Sequence, residues 1–253
     1  MSAPQVMERI TTRTSNRPMH SGRWRNVTGA SLTEDGLIFP EGSFVFEDHQ
    51  LDQDVAAYDW RMFKQKHELD PKKNGRGGFL RTVIEATLSV HEIEAHLDRY
   101  EQDGWIPDVI VIDYADNLDP PDMKSEYRNR IDETWRALRV LSLEKHVLVL
   151  TATQCDANGY GASVLNKDNF SEDKRKNRHV TGLFGINQTD TEKENGVFRL
   201  NWILKRSGAF HAKHVVHCVG CLAIANPFVE SFAGDKISTP VAPTKPKKKN
   251  TGA

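Results

Sequence analysis

The sequence predicts an α/β fold: a mainly parallel sheet flanked by helices and extended on its C-terminal side by antiparallel strands. Three observations carry that expectation. Residues 107–118, PDVIVIDYADNL, contain an unbroken aliphatic run at Val109, Ile110, Val111 and Ile112, and a strand without polar alternation belongs inside a parallel sheet, covered on both faces. A second such run, HVLVLTATQ, follows a stretch of helical periodicity, and parallel strands need a crossover of that kind. Beyond Arg178 three strand-like segments come without helices between them, the pattern of antiparallel pairing.

The elements follow in order. APQVMERITTRTSNRP carries Val6 and Ile10 at helical spacing, and Pro18 ends it. Within residues 20–80, GLIFPEGSFVFED suggests one or two short strands and DPKKNGRGG a flexible loop, and no chemistry is assigned there. LRTVIEA reads as a strand. SVHEIEAHLDRYEQDG then reads as a helix, with Ser89 and Glu92 spaced as a capping box and Val90, Ile93, Leu97 and Tyr100 on one face. The PDVIVID strand closes a βαβ unit. From Lys124 to Lys145 the apolar positions Tyr127, Ile131, Trp135, Leu138 and Leu141 predict the next helix, and VLVLTATQ the next strand.

Residues 155–178, CDANGYGASVLNKDNFSEDKRKNR, form a long polar stretch; loops of this length are functional or disordered. HVTGLFGINQT, GVFRLNWILKRSG and HAKHVVHCVGCLAI supply the antiparallel strands, the first two separated by a hairpin-like Glu194-Asn195-Gly196. From Ser238 periodicity is lost, so residues 238–253 are expected to be a disordered basic tail and residues 1–237 one domain.

Composition excludes some classes and names none. The chain is 38% hydrophobic and 27% charged with a net charge of -1, so nucleic-acid contact must come from local patches. No apolar run is long enough to cross a bilayer, and MSAPQVMERI lacks the regions of a signal peptide, so a cytoplasmic location is expected. Three cysteines, Cys155, Cys218 and Cys221, are too few for a disulfide framework. HVVHCVGC sets a C-x-x-C beside His214 and His217. A zinc site competes there with a buried strand, and alternation, which sends His217 and Cys218 to opposite faces, favours the strand.

The order PDVIVIDY, VLVLTATQ, basic loop, HVTGLFGINQT, GVFRLNWILKRSG resembles the RecA-like motor domain of DnaB-type replicative helicases, ring-forming ATPases of superfamily four. The resemblance covers roughly residues 80–225 and, weakly, the opening MSAPQVMERI, which is similar to the segment after the family's nucleotide-binding strand and helix. One departure stands out. No G-x-x-x-x-G-K-[ST] and no Gly-Lys dipeptide occurs in the chain, although that loop holds the nucleotide phosphates. The sequence is expected to be a motor domain truncated on its N-terminal side. A late start call, a gene split into two chains, and a degenerate paralogue that binds without hydrolysing all remain open.

The resemblance implies roles residue by residue. Asp113 matches the acid that orients a Mg²⁺ on the phosphates of ATP; a loop cap after a strand is the plain alternative. Asp116 reads as a turn former. Gln154 matches the polar sensor of the terminal phosphate, against an ordinary strand-end hydrogen bonder. Arg206 matches the arginine finger that reaches a neighbouring subunit's site, although the family's Lys-x-Arg-x-Gly is here Leu204-Lys205-Arg206-Ser207-Gly208, which displaces Lys205 by one. Lys167, Lys174, Arg175, Lys176 and Arg178 would meet the phosphates of single-stranded DNA, or else form a solvated surface. The implied function is part of an ATP-dependent DNA helicase acting on single-stranded DNA in replication, as a homo-hexamer or hetero-ring and without a membrane. Alone it is expected to be inactive as an ATPase. The rival is a non-hydrolysing DNA-binding or ring-assembly subunit.

Overall fold

The structure is a computed structural model and describes residues 3–18, 22–47, 53–66, 81, 83, 85, 87–121, 126–160, 162–169, 174–234 and 237. The expected loop at 70–78 and the basic tail at 238–253 lie outside the described residues.

Helix α1 (Ala3–Ser15) opens the chain, as its spacing predicts. A long antiparallel hairpin follows, β1 (Gly22–Leu32) and β2 (Ile38–Glu47), and then α2 (Gln53–Lys66), which packs on α1. The hairpin exceeds the one or two short strands expected, because its polar outward positions hide the period, and α2 was not foreseen. Gly42 sits at φ 144°, and a Cβ there would meet the Asn26 carbonyl oxygen at 1.9 Å, so the strand crossing requires glycine.

Helix α3 (Val90–Gln102) starts on the capping box: Ser89 Oγ accepts from the Glu92 amide at 3.2 Å, and the Ser89 amide donates to the Glu92 carboxylate at 2.7 Å. Those bonds to the ionised form hold the Glu92 carboxyl below its ordinary value. Strand β3 (Val109–Ile112), helix α4 (Tyr127–Glu144) and strand β4 (Leu148–Thr151) form a βαβ unit, the second of the two expected, with β3 and β4 parallel and Ile112 opposite Thr151. Of the expected strand LRTVIEA, the described residues Arg81, Val83 and Glu85 lie in no strand.

One core joins α3, α4 and the inner face of this pair: Val90, Ile93, Leu97, Ile131, Trp135, Leu138 and Leu141 pack with Ile110, Ile112 and Val149. The outer face stays open. Val111 is 74% and Leu148 53% exposed, and Val109 and Leu150 share their side. The expectation of a strand covered on both faces is therefore corrected: α3 and α4 lie on one side only, and alternation turns the other residues to solvent.

After a one-turn helix α5 (Ala157–Tyr160) comes an antiparallel sheet of β5 (Gly182–Asn187), β6 (Val197–Lys205), β7 (Val215–Cys221) and β8 (Asn226–Ala233), with a short helix α6 (Asp190–Glu194) between its first two strands. The expected antiparallel extension is present. A second core, Val27, Ile38, Val197, Val219, Cys221 and Ile224, fastens the β1–β2 hairpin to it. His217, Cys218 and Cys221 are buried within β7, and burial pushes the His217 pKa down and the Cys218 thiol up. No group of side chains able to hold a metal ion forms among the described residues.

Candidate functional site

The carboxyl ends of β3 and β4 lie side by side because their four residues pair in register. Ligands of open α/β sheets bind beyond such ends. A hydroxyl ties the two ends together: Thr151 Oγ1 donates to the Ile112 carbonyl at 3.0 Å and accepts from the Ala115 amide at 2.8 Å. Asp113 follows β3 directly, and its carboxylate is exposed with no hydrogen bond or ion pair among the described residues. Gln154 is reached three residues after β4; its amide donates to the Tyr114 hydroxyl at 3.1 Å. The structure thus brings Asp113, Tyr114 and Gln154 to one sheet edge.

Behind that edge lies a buried polar cluster. Lys176 is 1% exposed and its Nζ stands 2.9 Å from Asp116, whose side chain is 7% exposed. Lys176 Nζ also donates to Thr153 Oγ1 at 3.0 Å, and Thr153 Oγ1 donates to Asp116 at 2.6 Å. Asp116 accepts from a third donor, the Trp135 indole nitrogen at 3.0 Å, and Lys176 Nζ rests 5.7 Å from that ring's centre. A buried charge is tolerated only when paired and hydrogen-bonded, and this one is. The cluster joins the turn after β3, helix α4, the residue before Gln154 and the 3-10 turn Lys174–Arg178.

That turn is held from other sides as well. Arg175 donates to Asn129 of α4 at 3.1 Å, and His179 pairs with Asp132 at 3.0 Å. Arg206, one residue past β6, donates from Nε to the Val180 carbonyl at 2.7 Å and from its terminal nitrogen to the carbonyls of Asn177 and Arg178 at 3.2 and 2.5 Å. Lys205 instead lays its amine 5.8 Å from the Trp202 ring centre. Upstream, the loop is strapped to β5 and β6: Asn187 accepts from the Leu165 amide at 2.7 Å, and Asn201 donates to the Leu165 carbonyl at 2.9 Å and accepts from Asn187 at 2.9 Å.

The five loop cations therefore do not act alike. Lys176 is a correction: it is buried on a carboxylate and presents no charge to a nucleic-acid phosphate. Arg175 is turned to α4, and Lys174 forms an exposed pair with Asp168 at 2.9 Å. Lys167 and Arg178 are exposed. Asp116, read from sequence as a turn former, is the hub of the cluster. The one sequence signal for it was Trp135, whose indole N–H on a core-facing position needs an acceptor.

The sequence matches no family model and no curated protein. Solved structures do match. The ATPase domain of G40P superposes with a TM-score of 0.61 at 14% identity, over 89% of this chain and 70% of that one. A DnaB-like replicative helicase, solved in a study of its interactions with primase, superposes with a TM-score of 0.61 at 12% identity, over 87% of this chain and 47% of that one. This chain spans about half the length of the latter. No helix among the described residues is long and apolar enough to cross a membrane. At these identities the likeness is one of fold, and the fold is the RecA-like α/β fold of DnaB-type helicase ATPase domains, a parallel β3–β4 pair continued by antiparallel C-terminal strands.

Proposed function

We propose that this chain is part of an ATP-dependent DNA-helicase motor of the DnaB-like type, working on single-stranded DNA within a ring. Asp113 and Gln154, both just beyond the carboxyl ends of two registered parallel strands, carry the proposal. The phosphate-binding loop would come from polypeptide outside these 253 residues or from another chain. The open apolar face of β3–β4 supports this, since parallel sheets are ordinarily covered on both faces.

The residues fit the nucleotide and its metal. Asp113 offers an exposed carboxylate without a competing cation among the described residues, suited to the waters of a Mg²⁺. When bound, Mg²⁺ and ATP supply the electrophilic phosphorus and neutralise its oxygens. Gln154 has an amide to turn from Tyr114 toward a phosphate oxygen or the attacking water, and it directly follows Thr153, so its position is tied to the buried cluster and to the basic loop. Lys167 and Arg178 are the loop cations placed for DNA phosphates, with Lys174 available once it leaves Asp168.

One observation favours the rival, a non-hydrolysing DNA-binding or ring-assembly subunit. The Arg206 guanidinium is engaged by three carbonyls of its own chain, and a finger reaching another subunit would have to exchange them. Phosphate release separates the two. Alone, the chain is expected to hydrolyse ATP no faster than background; mixed with a chain that carries a phosphate loop, it should gain turnover that Asp113→Ala and Arg206→Ala each abolish. No gain establishes the rival, and sustained hydrolysis by the chain alone, lost in Asp113→Ala, overturns the need for an external loop.

A further inference from the structure

The β1–β2 hairpin has two unlike ends. Toward its turn, Val27 and Ile38 are buried in the core shared with the C-terminal sheet. Toward its open end, the two-residue period brings Arg23 and Arg25 to one side, and the register sets Phe46 opposite Arg23 and Phe44 opposite Arg25. Both rings are exposed, Phe44 at 62% and Phe46 at 68%. The Arg23 guanidinium already lies over the Phe44 ring, 4.3 Å from its centre, and the Arg25 guanidinium is fixed by a bond to the Pro40 carbonyl. Charge is graded along the hairpin, since Glu34 and Asp35 occupy the turn at the opposite end from the two arginines.

We infer that this face is a binding platform for single-stranded DNA, with bases stacked on Phe44 and Phe46 and the backbone met by Arg23 and Arg25. Exposed aromatic rings on a sheet are costly to hold in water, and flat rings between cations match the two parts of a nucleotide, π-face and phosphate. Spacing favours a single strand. Same-face residues two apart on a strand stand about 7 Å from each other, twice the ~3.4 Å rise of stacked duplex bases, so each ring would take one base of an extended strand. The platform rests on the proposed reading only in taking single-stranded DNA as the ligand; it needs no nucleotide.

The test is fluorescence anisotropy of a short dye-labelled oligothymidylate with the full 253-residue chain. The pair F44L/F46L keeps apolar area and removes the π-faces; it should weaken binding about fivefold or more per ring while leaving the salt dependence unchanged. F44Y/F46Y should bind as the parent does. Arg23→Gln should lower the logarithmic salt slope by about 0.7. Because all these side chains lie on an exposed face, the variants should melt with the parent. Parental affinity in F44L/F46L overturns the inference, and loss on exchange of Lys167 and Arg178 in the same assay would show that the helicase reading survives it. A parent chain that binds no oligothymidylate overturns both. Equal losses in the leucine and tyrosine pairs would mean shape and not stacking, and the inference falls.

Discussion

Replacing Lys176 by Met tests the buried cluster most directly. The substitution keeps the length and apolar stem of the side chain, removes one charge, and breaks the bonds to Asp116 and Thr153 at 2.9 and 3.0 Å. Removing one partner of a buried ion pair costs roughly 3–5 kcal/mol, mostly because the other charge is stranded. Here Asp116 keeps two donors, the Trp135 indole and the Thr153 hydroxyl, so the lower end applies, about 3 kcal/mol. For a domain of this size that is a fall of roughly 6–12 °C in Tm. Urea unfolding should show the midpoint shifted with an unchanged slope. The double variant Lys176→Met, Asp116→Leu should recover part of the loss, since neither charge is then stranded. In DNA titrations Lys176→Met should leave the salt slope alone, because a buried cation releases no counterions. A loss below about 0.5 kcal/mol, the range of surface changes, would refute the buried pair.

Arg206→Ala frees the carbonyls of Asn177, Arg178 and Val180, so amide exchange should quicken across 174–181 and stay unchanged in α3, as read by mass spectrometry. His217 is neutral and buried, and its folded-state pKa lies below the ordinary 6.5. Protonation then favours the unfolded chain, so His217 leaves stability intact above pH 6.5 and lowers it as pH falls from there through the folded value; in His217→Leu that part of the pH-dependent change in Tm should vanish. Thiol labelling should mark Cys155 first, because Cys155 is half-buried whereas Cys218 and Cys221 are buried and burial raises the Cys218 pKa. Thr151→Val should cost about 1–3 kcal/mol in urea unfolding, by leaving the Ala115 amide without its acceptor.

What was legible from sequence was what a period or a cap writes locally. The aliphatic runs at 109–112 and 148–150, the Ser89–Glu92 box and the apolar stripes of α3 and α4 are each written within a few consecutive residues. The order of pieces carried the fold. Less legible were contacts between distant residues: Lys176 stands 60 positions from Asp116, and within KRKNR nothing separates the buried cation from the exposed ones. The hairpin strands were shortened in the expectation because Arg, Asn, Ser and Gly on the outward face hide the alternation. Covering of a strand is also a property of what packs beside it, so VIVI could announce burial and be met by solvent on one face.

The paired amides of Asn187 and Asn201 have a further consequence, for the alignment of β5 and β6. Both side chains are buried and bonded to each other; Asn187 also bonds to Arg199, and both bond to the Leu165 backbone. A slip of β5 against β6 by one residue would turn one amide away from the other and leave buried donors unmet, a cost that a purely apolar contact at the same place would not impose. The pair is thus a key that admits one alignment. The backbone of Leu165 bonds to both amides, so the seating of the loop ahead of the basic turn depends on the register of the sheet beneath it.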